Sequence, residues 1–304
     1  MTASVPRNEL SNWGRWGADD QRGAVNFITP EVLLAAAGLI REGRVISLAL
    51  PLQRDRLPSS PLRPLMQHFM TIDGGDFAAG VRVGGDYQCA DDWLSMPSQC
   101  GTHLDGLAHV WYDNTLYNGH SANRVRSYGA TRCGIENVGP IVTRGVLLDV
   151  AGFLGVEHLS GDHVITPAEL EASARTQGVT LRAGDCVLIR TGWYPLFETD
   201  RDTYFASNPG LGLEAARWLA AQQVCAVGAD NMAIEATVGA HGFEQGNRDS
   251  RVHKLLLRDC GTYLIELLDL EALAASGRHE FLFVAAPLPI VGGVGSPLNP
   301  LAIL

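Results

Sequence analysis

The stretch from Gln99 to His109 reads Gln-Cys-Gly-Thr-His-Leu-Asp-Gly-Leu-Ala-His and packs His103, Asp105 and His109 into seven positions between glycines and apolar residues. An imidazole and a carboxylate two residues apart suit zinc, manganese or iron, and a further imidazole close by can move protons. One short segment therefore offers half of a metal site together with an acid/base. If it is extended, side chains alternate between faces, and Gln99, His103, Asp105 and His109 share one side. If it is helical from Asp105 onward, Asp105 and His109 still meet one turn apart. The alternative is a turn whose histidines face water.

A cation needs further ligands, so the rest of the chain should hold acids or imidazoles that make little sense at a surface. Glu266 lies in Thr-Tyr-Leu-Ile-Glu-Leu-Leu, where an ionised carboxylate is costly without a cation or strong donors. An edge-strand glutamate pointing to water is the competing reading. His253 opens the preceding amphipathic stretch and can descend on the same site across the Gly261 turn. Asp230 and Asn231 follow an apolar run, where either a functional group or a turn is expected. His68, His120 and His241 are candidates to line or close a pocket, and Trp93, Trp111, Tyr112 and Tyr117 to wall it with aromatics. Cys100 is either a nucleophile or a packing group.

The elements that must position these residues mix strands and helices. A helix is expected from Thr29-Pro30-Glu31, with a threonine cap and proline in the first turn, stopping near Gly43. Residues 44–50 read as a strand and the Pro/Arg-rich run 51–64 as an irregular connection able to rim a pocket. Gly74-Gly75 and Gly84-Gly85 suggest tight turns around short strands. Later, residues 145–150, 185–191, 224–228 and 262–268 read as strands, with 281–286 as the last. Helices are expected from the capping box Thr166-Pro167-Ala168-Glu169 and over 213–222, 252–257 and 269–275. The pattern predicts an α/β or α+β domain with a mixed sheet rather than a regular eightfold barrel.

Composition narrows the function. The 304 residues include 46% hydrophobic and 18% charged side chains, enough for a large core. A formal charge of −10 without basic runs argues against nucleic acid or an anionic membrane surface as partner. A small anionic substrate stays compatible, because an arginine inside a pocket is invisible to net charge. Neither a signal-peptide core nor a membrane-length apolar run is present in the sequence, so a soluble, cytoplasmic protein is expected. Six cysteines without a C-x-x-C pair predict reduced thiols, not a disulfide framework. The sequence also lacks a G-x-S-x-G elbow, a Walker loop and an H-E-x-x-H helix.

The segment from Gln99 to His109 resembles the H-x-G-T-H-x-D-x-P-x-H signature of the metal-dependent cyclase family, which includes kynurenine formamidases and isatin hydrolases. Residues 144–149, Gly184-Asp185 with residues 190–193, residues 228–231, His253 with Glu266, and residues 287–297 are also similar to family blocks. The resemblance implies a swivelling β/β/α domain spanning 1–304, with 1–43 as an N-terminal extension packed on it, and a homo-oligomer, dimer or tetramer. It further implies a divalent metal, Mn or Zn, held by His103 and Asp105 with Glu266 and His253, and His109 acting on the proton. Gln99 stands where the signature has its first histidine and Leu107 where it has proline. A weaker ligand at position 99 favours one ion over two. Gln99 and the Tyr-Asn-Gly that follows are similar to a long-chain branch containing trans-dienelactone hydrolase.

The expected activity is metal-dependent hydrolysis of an amide or ester (lactone) bond in a small, cyclic or aromatic substrate. A metal-dependent dehydratase or cyclase, and a non-catalytic small-molecule binding protein on the same fold, are the alternatives.

Overall fold

In the computed structural model, which describes residues 9–54, 56–58, 63–237 and 251–304, the apolar runs become the centre of one nine-stranded sheet. In chain order its strands are β1 (Val45–Ser47), β2 (His103–Asp105), β3 (Ile141–Asp149), β4 (Cys186–Arg190) and β5 (Ala226–Ala229). They continue as β6 (Tyr263–Glu266), β7 (Glu280–Ala285), β8 (Gly295–Pro297) and β9 (Leu301–Ile303). Across the sheet the order is β1-β9-β7-β3-β4-β5-β6-β2-β8. The four central strands β3 to β6 run parallel, and the remaining neighbours pair antiparallel. This is the expected α+β architecture with a mixed sheet. Parallel strands covered on both faces need mostly apolar side chains, which is why 145–148 of β3 and 186–189 of β4 read as apolar runs: Leu147, Leu148, Val187, Leu188 and Ile189 are all buried.

Helix starts follow their capping residues. Thr29 accepts from the Val32 amide at the head of α1 (Pro30–Ala37), and Thr166 and Glu169 form a reciprocal capping box on α2 (Pro167–Thr176). The helix α3 (Leu213–Ala221) also lies where expected.

Four elements differ from their sequence patterns. The first helix ends at Gly38, well before Gly43. Gly74-Gly75 opens a short helix, Gly74–Ala78, because Asp73 and Asp76 cap it reciprocally. The 281–286 strand is not the last, since β8 and β9 follow it. The 252–257 helix is an α-turn, Arg251–His253, that widens into a π-helix, Lys254–Cys260, closed by Gly261 at φ +66°.

Two buried polar ties hold the sheet. Arg144 on β3 donates from Nε and Nη2 to Asp185 at 2.9 and 2.6 Å and also reaches Glu280 on β7. Asp230, just past β5, accepts from the Thr191 amide at 2.9 Å, the Thr191 hydroxyl at 2.5 Å and the Gly192 amide at 2.7 Å. Asp230 thus joins the ends of two central strands. Burial pushes its carboxyl up to about 6, with those donors and Arg190 pulling the other way. Asn231 is likewise spent on backbone, donating to Pro209 O at 2.6 Å and accepting from Ile234 N at 2.9 Å.

Outside the main sheet, Gln67–Ile72 and Asp91–Ser95 form a two-stranded hairpin with most of both faces exposed. Trp93 stacks on Phe69 there at 4.8 Å. All six cysteines are free. Among the described residues no helix is long and apolar enough to cross a membrane.

Removing Asp230 leaves three donors buried without an acceptor. Asp230→Ala is therefore expected to cost about 3 kcal/mol or more in denaturant unfolding; a loss under ~1 kcal/mol would mean the tie is dispensable.

Candidate metal centre

Register builds the centre. Glu266 on β6 pairs directly with His103 on β2, and directly opposed residues of an antiparallel pair project to the same side. Asp105, two residues along β2, falls on that side as well. His103 Nε2 lies 3.4 Å from Glu266 Oε2 and 3.6 Å from Asp105 Oδ1. His253 comes down from the helical turn, with Nε2 3.2 Å from Glu266 Oε1 and 3.9 Å from Asp105 Oδ2. His109 lies past the end of the strand, its Nε2 3.7 Å from Asp105 Oδ1. The sequence reading thus brings five groups together: His103, Asp105, His109, His253 and Glu266.

Gln99 is placed beside them. Its amide nitrogen is buried with no partner among the described residues, and it lies against Gly295, the β8 residue paired with Asp105. A Cβ at position 295 would collide with that amide. The turn at Gly101, φ +61°, carries the chain from Gln99 into β2. Thr102 then locks the strand: its hydroxyl accepts from Leu50 N at 2.8 Å and donates to Leu267 O, just past β6.

The donor set fits a divalent cation. His103 Nδ1 donates to Gly101 O at 2.8 Å, which fixes the tautomer and turns the Nε2 lone pair toward the acids. His103 Nε2 and Asp105 Oδ1 are buried and, among the described residues, without hydrogen-bond partners. Native interiors seldom leave such atoms unmet, because desolvation without compensation is expensive. One ligand atom each from His103, Asp105 and Glu266 lies within 4.8 Å of the others, and nitrogen and oxygen donors of this kind suit zinc or manganese.

Sequence reading missed Glu235. Its Oε1 lies 2.5 Å from His253 Nδ1, and its Oε2 accepts from Val252 N at 3.1 Å, so it both aims the imidazole and starts the helical turn. Glu235 follows Met232, Ala233 and Ile234, the same apolar setting that singled out Glu266.

Burial works against every charge here, and neighbours decide the outcome. It pushes His253 down, but hydrogen bonds to Glu235 and Glu266 outweigh it and hold the imidazole up to about 10. It pushes Glu266 up, but His103 and His253 hold that carboxyl well below the usual range. For His103, Glu266 and Asp105 overcome burial and raise it. His109 goes the other way, since burial dominates and His253 and Arg63 add to it against Asp105. A neutral His109 is able to accept a proton.

Other candidates lie elsewhere. His68 pairs with Asp92 at 2.7 Å on the exposed hairpin, and His120 reaches Asp20 O at 3.2 Å. His241 lies outside the described residues. No aromatic wall forms from the four residues expected to make one: Trp93 stacks on the hairpin, Tyr112 donates to Asp259 at 2.8 Å, and Tyr117 is core, donating to Asp20 at 3.0 Å. Trp111 is exposed. Cys100 is buried with Leu50, Leu57, Met66 and Leu267, and burial pushes its thiol up, as for a packing group.

A mixed sheet that gathers imidazoles and carboxylates into a buried centre defines an α+β protein organised around a candidate cation site. The chain belongs to the cyclase family: the family model described as a putative cyclase matches residues 27–236. A solved structure described as a novel cyclase is 40% identical over 97% of this chain and 100% of its own, with a TM-score of 0.89. Isatin hydrolase A from Ralstonia solanacearum is 24% identical, covering 90% of this chain and 98% of its own, with a TM-score of 0.63. A predicted metal-dependent hydrolase from Bacillus stearothermophilus is 22% identical over 85% and 97%, with a TM-score of 0.54. A search of curated proteins found no match.

Two outcomes follow from the geometry. At neutral pH His253 holds a proton that an incoming cation must displace, so metal uptake should release a proton and affinity should rise with pH toward about 10. Titration calorimetry in buffers of different ionisation enthalpy reads this directly; an uptake heat independent of buffer would contradict it. Gly295→Ala displaces the Gln99 amide and should weaken metal binding about tenfold or more in chelator competition.

Proposed function

We propose that the protein is a metal-dependent hydrolase that cleaves an amide or ester (lactone) bond in a small, cyclic or aromatic substrate. The observation that carries this reading is the pair of buried, unpartnered ligand atoms, His103 Nε2 and Asp105 Oδ1, facing Glu266 and His253. These residues, with the Gln99 amide beside them, would hold one zinc or manganese ion. Bound there, such an ion would lower the pKa of water from 15.7 to about 7 and polarise a carbonyl. Similar folds that carry the names isatin hydrolase and metal-dependent hydrolase support the same class of chemistry.

This chain's own residues supply the rest. His109 is the least buried of the imidazoles in the centre, with 22% of its side chain exposed, so it faces the approach to the site. Kept neutral by burial, it takes the proton from the attacking water and returns it to the leaving oxygen or nitrogen. Asp105 Oδ1, 3.7 Å away, stabilises the imidazolium between those two steps. Glu235 holds His253 in place through both.

His109→Ala is expected to retain metal and lose about 10²–10⁴ in turnover, while Asp105→Ala loses both metal and turnover. Lactones, aryl formamides and cyclic imides are the panel to assay on manganese- and zinc-loaded protein. Incorporation of oxygen from labelled water into the product marks hydrolysis. Label-free product, or full turnover by the His109 variant, would refute the assignment.

A further inference from the structure

Among the described residues, the arginines that are at least partly buried come with acids. Arg144 pairs with Asp185 and Glu280, Arg190 with Asp149 and Glu271, and Arg258 with Asp259. Arg63 is the exception. It is half-buried, and among the described residues its guanidinium meets no carboxylate; its hydrogen bond runs from Nη1 to the carbonyl of Gln99 at 2.8 Å. In a chain with 33 acids against 23 basic residues, a partly desolvated guanidinium without a carboxylate beside it is suited to bind an anion.

The surrounding structure holds it there. Pro64 restricts Arg63 to an extended backbone, and Met66, three residues on, is buried with Cys100, Leu50, Leu57 and Leu267. The Gly101 turn packs under the same run: a Cβ there would lie 3.0 Å from Leu52 and 3.2 Å from Leu57. Leu52, Leu57 and Met66 thus pack on the loop that leads into β2. Arg63 is close enough to the centre for its charge to reach His109 and Cys100.

We propose that Arg63 is the anion-binding residue of this site, receiving a carboxylate that the substrate carries away from its scissile bond. The inference rests on the hydrolase reading and narrows it to acid-bearing esters, lactones or amides. Asp105, Glu266 and Glu235 bring carboxylates to the centre, and Arg63 sets a positive charge near it. Arginine suits the task because its planar fork binds both oxygens of a carboxylate.

The test uses metal-loaded protein and dicarboxylates from succinate to adipate, each against its own half-amide. One carboxylate of each probe stands in for the acid that hydrolysis releases, and the other end is either charged or neutral at the same length. For at least one length, wild type should bind the dicarboxylate about tenfold more tightly. Arg63→Gln should reduce that preference to within about twofold, and Arg63→Lys should keep part of it. No binding, no preference at any length, or a preference unchanged in Arg63→Gln overturns the proposal. Metal content measured on the same samples separates the two ideas: metal without an acid preference removes Arg63 alone, whereas protein that takes up no metal removes the hydrolase reading.

Discussion

Buried negative charge is the constraint from which the rest of the molecule follows. Asp105, Glu266 and Glu235 lie within one pocket of imidazoles, and carboxylates so placed persist only if cations, protons or donors answer them. Without the ion, a proton on His253 performs much of that service. The same arrangement is then poised to exchange protons for a divalent ion. Stability of the apo-protein and affinity for the metal are thus linked through the same side chains.

Holding those charges together takes the antiparallel flank of the sheet. The parallel strands β3 to β6 form an apolar slab, and β2 is added to its edge in the opposite direction. This puts His103 beside Glu266 instead of one residue out of register. The Thr102 hydroxyl bridges Leu50 and Leu267 and so fixes both strands at one end. Leu267 itself takes φ +58°, a costly conformation for leucine, where β6 leaves the sheet. Local strain at that point coincides with the placement of Glu266 one residue earlier.

Much of this was legible from residue order. Parity along residues 99–109 and the misfit of Glu266 in an apolar strand led to four of the centre's side chains, because a two-residue period and the cost of desolvation are local facts. His253 rested more on resemblance than on physics, since a helix-start histidine is usually a satisfied polar group. Glu235 went unread, and Arg63 was read only as part of a Pro/Arg-rich run able to rim a pocket, for a different reason. Their placement depends on which distant backbone they meet, Val252 for one and Gln99 for the other, and no periodicity encodes that. The aromatic wall failed similarly: proximity in sequence to the motif did not survive the turns after Asp105, where Tyr117 is drawn into the core. The π-helix was also invisible, because its repeat mimics an amphipathic helix over so short a span.

β8 sits on the far side of β2 from Glu266, and Gly295 supplies the space that the Gln99 amide occupies. It is synthesised long after β2, as is β6 on the other flank. A ribosome-bound chain that has made the whole parallel slab still lacks one wall of the pocket. The wall beside the Gln99 amide is therefore completed only once translation has passed Pro297, after every other group of the centre has been made.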